Sequence, residues 1–162
     1  MATVTIHQIC DAIETTLGAA TSLVRHQTFD DLSEGMQDYP TLQVYPEANL
    51  GTDRDQETDR TAFMAATGTV KHRQKEYVIH ADLFARQRSN LAEDMAQLVE
   101  TVDEIEDILE AQVCPLFGLT VAGAAKGPIR SFRWSWQRVI FEYGDPVVKY
   151  MGARFILTLV VF

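Results

Sequence analysis

The closing segment, "GDPVVKYMGARFILTLVVF", limits the possible folds more than any other stretch of this chain. After the turn signalled by Asp145-Pro146, one strand face collects Met151, Ala153, Phe155, Leu157, Leu159 and Val161. The other collects Tyr150, Gly152, Arg154, Ile156, Thr158, Val160 and Phe162, and seven of the last eight residues are apolar. A strand that is wet on one side alternates apolar with polar residues, whereas one apolar on both faces has to be covered twice. Two placements satisfy this. The strand is central in the sheet of its own chain, or a neighbouring copy finishes it.

The chain is long enough for the first placement. Its 162 residues, 46% apolar and 23% charged, suit a single domain spanning 1–162 that buries about 70% of the surface its unfolded chain exposes. The start, Met-Ala-Thr-Val-Thr-Ile, has no basic cluster leading into an apolar stretch, and no run reaches the ~18 apolar residues of a membrane span. Neither secretion nor a bilayer is indicated, and cytosolic synthesis is expected. Cys10 and Cys114 show no CxxC or His/Cys ladder, which points to reduced, buried thiols rather than a disulfide or zinc site.

The periodicities predict an α+β fold: a mixed or largely antiparallel sheet with two helices packed on it. Ile6, Ile9, Cys10, Ile13 and Leu17 share one face of a helix over about 5–17, with Thr5 and Gln8 as a capping box and Gly18 as C-cap. "SLVRHQTF" and "TLQVY" read as strands, the second framed by Pro40 and Pro46. Residues 47–60, "EANLGTDRDQETDR", carry five acids, two arginines and no aromatic residue, a composition expected of a long mobile loop. "TAFMAATGTV" and "KEYVIHADLF" are predicted strands joined through "KHRQK". A helix is predicted over about 90–113, capped by Asn90 with Glu93, its stripe built from Leu91, Met95, Leu98, Val102, Ile105 and Leu109. Its flanks carry eight acids and no lysine or arginine, so packing of the stripe has to outweigh like-charge repulsion. After a glycine-rich connection, "IRSFRWSWQRVIFEY" alternates as a strand, with Phe132, Trp134, Trp136 and Ile140 on one face.

No catalytic motif emerges. There is no G-x-S-x-G, and Gly123-Ala-Ala-Lys-Gly127 lacks phosphate-loop spacing. His7 and His26 are isolated in sequence and His72 and His80 straddle the hairpin, so no metal and no cofactor are expected. The acids of the long helix offer carboxylates, but nothing singles out an acid–base pair. Arg130, Phe132, Arg133, Trp134, Trp136 and Arg138 interleave bases with aromatics as a nucleic-acid stacking platform does. Core aromatics of an amphipathic strand explain the same pattern, and a pI near 4.8 works against phosphate tracking. The net charge of −9 is uneven: residues 1–125 hold 21 acids and 8 bases, residues 126–162 hold 2 acids and 6 bases. Either the basic strands find partners within the fold, or like subunits meet acidic face to basic face.

The order of elements is the more informative feature. A short first helix, "YPTLQVYP", a hairpin ending "EYVIHADLFAR", a long amphipathic helix and the final "EYGDPVVKYMGARFILTLVVF" hairpin together resemble the tail-terminator or tail-completion proteins of long-tailed bacteriophages, over nearly the whole chain. The resemblance implies a structural virion protein without catalysis, assembled in the host cytoplasm. It implies a homo-oligomeric, hexameric ring that caps the tail tube below and meets the head connector or neck protein above, with DNA passing through unbound. Such a ring uses heterologous contacts. On this reading Arg130, Arg133, Arg154, Phe155, Leu157, Leu159 and Phe162 are expected at the subunit interface. The acids Asp53, Asp55, Glu57 and Asp59 would face the channel and repel DNA phosphates. The alternatives are a neck or head–tail joining protein, a monomeric binding module, or a small enzyme marked by a cleft of convergent carboxylates.

Overall fold

A computed structural model describes residues 4–30, 38–51, 75–88, 91–121 and 126–161. The predicted strand at 61–70, most of the "KHRQK" connection, Asn90 and Phe162 lie outside them, as do Asp53, Asp55, Glu57 and Asp59. Helix α1 spans Ile6–Leu17, followed by β1 (Arg25–Thr28), β2 (Thr41–Gly51), β3 (Lys75–Gln87), α2 (Leu91–Glu110), a 3-10 turn (Leu116–Gly118), β4 (Ile129–Tyr143) and β5 (Val148–Val161). The strands form one mixed sheet in the order β1-β2-β3-β5-β4. Only the β1/β2 pair is parallel. The α+β expectation holds.

Both helices lie on the same side of this sheet. Ile9, Cys10, Ile13 and Leu17 of α1 and Leu98, Val102, Ile105 and Leu109 of α2 join Leu42, Ile79, Leu83, Phe155, Leu157 and Leu159 in one buried cluster. The capping box of α1 forms as expected, with the Gln8 amide donating to Thr5 Oγ1 at 3.2 Å and the Thr5 amide to Gln8 Oε1 at 3.0 Å. Gly18 ends the helix with φ −63°, an ordinary helical value. Its reason is space, since a Cβ there would stand 2.7 Å from the His26 ring.

The flank acids of α2 are not all uncompensated. Asp94 is fully buried, 3.0 Å from Arg86 Nε of β3. Glu104 accepts from the Ser22 amide at 3.0 Å and from Thr21 Oγ1 at 3.1 Å, joining α2 to the turn after α1, and these bonds hold its carboxyl below the ordinary range. Glu106 accepts from Trp136 Nε1 at 2.9 Å. Three carboxylates thus tie the helix to its surroundings and offset part of the like-charge repulsion. Leu91, expected on the apolar stripe, is 56% exposed, because the stripe meets the sheet only one turn later.

Three more expectations need correction. Residues 47–51 are not loop: they continue β2, paired with β3 as far as Gly51 opposite Glu76. Pro46 therefore lies inside the strand, at a register shift that accommodates its missing amide hydrogen. Cys114 is exposed, and only Cys10 is buried. Burial, reinforced by Asp11 and Asp30, pushes the Cys10 thiol up to about 12, so it is an inert core residue.

Candidate functional site

The closing strand is central within its own chain, paired along its length with β3 on one side and β4 on the other. Phe155, Leu157 and Leu159 are fully buried beneath the helices. They belong to the core of the chain and are not available to a neighbour, contrary to the interface expected from sequence. The first of the two placements is the one realised.

The opposite face of the sheet carries no helix among the described residues, and it divides into two parts. At one end Phe84, Phe141 and Tyr150 form a second apolar cluster, with Tyr39, Val139 and Val148 at its margin. The rings of Phe84 and Phe141 lie 4.3 Å apart, and Tyr39 stacks on Tyr150 at 5.5 Å. Gly152 makes the cluster possible. A Cβ at this position would stand 2.1 Å from the Leu83 carbonyl oxygen and 2.6 Å from the Phe141 ring, so only glycine lets the aromatic ring lie on the strand.

Beside it sits a polar network drawn from three adjacent strands. Arg154 of β5 grips Asp82 of β3 with both forks, Nε to Oδ1 at 2.7 Å and Nη2 to Oδ2 at 2.8 Å. Tyr45 of β2 donates its hydroxyl to Asp82 Oδ2 at 2.8 Å and accepts from Arg154 Nη2 at 3.1 Å. Asp82 is only 3% exposed, and the pair is the fork-on-carboxylate geometry that gives a charge-assisted bond its strength. Burial and then the Asp82 bond push the Tyr45 phenol above its ordinary range, keeping it a neutral donor. Both carboxylate oxygens are occupied, so Asp82 acts as an anchor for Tyr45 and Arg154. Arg154, expected at a subunit interface, is engaged within the chain.

His80 borders this network, with its ring edge-on to Tyr45 at 5.6 Å and Nδ1 3.6 Å from Glu47 Oε2. Burial, followed by the Arg154 charge, holds its imidazole below the ordinary 6.5, against the opposing pull of Glu47 and Asp82. The unfolded chain therefore takes up this proton at a higher pH than the folded one. Between the two values the unfolded state binds more protons, so stability is full above about 6.5 and falls as pH drops through the window. Urea midpoints measured from pH 7.5 to 5 should show this loss in the wild type and a flatter profile in His80→Gln. An unchanged slope in the variant would assign the pH dependence to other groups.

Two further bases of the carboxy-terminal part are paired with acids of the chain. Arg133, on the exposed strand β4, reaches Glu76 at 3.2 Å, and Lys149 reaches Glu142 at 2.8 Å. Arg130 is exposed on the same strand. What β4 does leave open is an edge. Among the described residues it has a strand neighbour on one side only, and Trp136, Ile140 and Tyr143 are 39%, 39% and 48% exposed. Among the described residues the far side of the sheet has an unlike open edge, because β1 pairs with β2 only over Thr41–Val44 and no described strand covers the part beyond. Leu50, 60% exposed, stands on that overhang. Sequence periodicity identified the strands but not their order, and so could not locate these edges.

No family model matches the chain, and no curated protein matches its sequence. No helix among the described residues is long and apolar enough to cross a membrane.

Proposed function

We propose that this chain is a structural ring subunit at the head-proximal end of a phage tail, terminating the tail tube and joining it to the head connector. The observation that carries the reading is the pair of unlike edges left open among the described residues, the 15-residue strand β4 at one side of the sheet and the β2 overhang at the other. Unpaired strand edges are templates for association, and natural proteins shorten, charge or cover them when association is unwanted. Edges that differ from each other suit heterologous contacts, which close into a ring when the rotation per subunit permits. The resemblance of its element order to phage tail-terminator proteins supports assigning such a ring to a virion. Asp82 serves as an anchor for Tyr45 and Arg154, and the proposal includes no catalysis.

Sedimentation velocity of the purified chain, alone and with isolated tail tubes, tests this. A closed oligomer of about six copies that co-sediments with tubes is expected. Ile140→Lys, on the exposed margin of β4, should leave a folded monomer that no longer assembles. A wild-type chain that stays monomeric at every concentration and ignores tubes would remove the reading.

A further inference from the structure

His7 and Asp11 lie one turn apart on α1, and the fold brings Asp30, just past β1, against them. His7 Nε2 is 2.9 Å from Asp30 Oδ2 and 3.4 Å from Asp11 Oδ2. One ring nitrogen carries at most one hydrogen, so it cannot donate to both carboxylates. No lysine or arginine occurs on α1, and among the described residues none pairs with Asp11 or Asp30. Two carboxylate oxygens thus converge on one nitrogen, with no lysine or arginine beside them among the described residues.

We propose that His7, Asp11 and Asp30 form a binding site for a divalent cation of the zinc class. The three ligand atoms all lie within 4.8 Å of one another. Bonds of about 2.0 to 2.2 Å around a tetrahedral ion set neighbouring ligand atoms about 3.3 to 3.6 Å apart. The Asp11 distance of 3.4 Å falls in that range, and the Asp30 distance of 2.9 Å needs only a small opening to reach it. An imidazole with two carboxylates is a borderline donor set, matched to zinc, cobalt or nickel more than to magnesium or calcium, which favour all-oxygen shells. The side chains are about half exposed, which leaves room for water in the fourth position.

The surroundings hold the ligands in place. Thr28 donates its hydroxyl to Asp30 Oδ1 at 2.8 Å, leaving Oδ2 turned toward His7. Phe29 meets the His7 ring edge-on at 5.3 Å. A bound ion would clip the first turn of α1 to the end of β1. The isolation of His7 in sequence concealed this, since Asp30 is brought to it only by the fold.

Titration calorimetry of the full chain, stripped with chelator and titrated with zinc chloride, tests the site. One saturable equivalent is expected, together with a raised thermal midpoint. His7→Ala, Asp11→Asn and Asp30→Asn should each weaken binding at least about tenfold, and Thr28→Val, which touches no metal, by about tenfold through loss of ligand orientation. Cobalt in place of zinc should give the visible absorption of a tetrahedral centre, lost in His7→Ala. No saturable binding, or binding unchanged in both His7→Ala and Asp30→Asn, would overturn the proposal and leave the cluster an ion pair only. Calorimetry reads zinc binding and sedimentation reads ring formation, so either can fail without the other.

Discussion

A chain ending at Leu157 does not fold. Thr158, Leu159, Val160 and Val161 pair with Val78, Tyr77, Glu76 and Lys75 of β3 on one side and with Arg133, Phe132, Ser131 and Ile129 of β4 on the other. Removing them unpairs the start of both neighbouring strands and strips the core of Leu159 and Val161, which are 0% and 4% exposed. Burying those two side chains is worth about 1.5 to 3 kcal/mol each, and the orphaned backbone groups add about 1 to 3 kcal/mol apiece where they stay buried. A whole domain is stable by only about 5 to 15 kcal/mol. Far-ultraviolet circular dichroism and urea unfolding of the truncated chain should show no cooperative transition. Leu159→Ala supplies a graded control, folded but weaker by about 2 to 5 kcal/mol. A truncated chain that unfolds cooperatively near the wild-type midpoint would mean that β5 is dispensable to the monomer, and that a neighbour is its true cover.

The double apolarity of that strand was legible in the sequence because strand faces follow from a period of two, without knowledge of the neighbours. The same holds for the α1 capping box and the stripe of α2, whose signals lie within a few residues of one another. What escaped depends on contacts between distant positions. Arg154 is expected at a subunit interface from sequence because its partner Asp82 is 72 positions away, and Asp94 counts among the uncompensated acids of the helix because its partner Arg86 stands on β3. The apolar side chains of β5 facing the helices were assigned to a subunit interface for the same reason: periodicity says that a face is covered, not by what. Residues 47–51 were read as loop from an acidic composition that belongs chiefly to the residues after them, while backbone pairing with β3 extends the strand through Gly51.

The network of Tyr45, Asp82 and Arg154 should couple strongly. Arg154→Met leaves the Asp82 carboxylate nearly buried with only the Tyr45 hydroxyl as a described partner, and breaking a buried pair in this way costs about 3 to 5 kcal/mol. Because the arginine side chain is 29% exposed, solvent screening places the expected loss near the lower end, at about 3 kcal/mol. Asp82→Asn should cost less, since the amide still accepts from Arg154, and Tyr45→Phe only about 1 kcal/mol. Replacing Asp82 by Leu and Arg154 by Met together should recover most of the single-variant loss, because no uncompensated charge remains. The coupling energy from urea unfolding of the wild type, Asp82→Leu, Arg154→Met and the double variant is the decisive quantity. Additive losses would show that the two charges do not depend on each other, and that the geometry contributes nothing beyond its parts. Strong coupling would bear on more than stability. A slip of β5 by one residue against β3 turns the side chains of β5 to the other face, putting Arg154 among the helices and Phe155 on the opposite side while Asp82 stays where it is. A charge pair that is satisfied only when Asp82 stands opposite Arg154 penalises that slip. It thereby holds the centre of the sheet, and with it the two outer edges on which assembly would depend, in a single register.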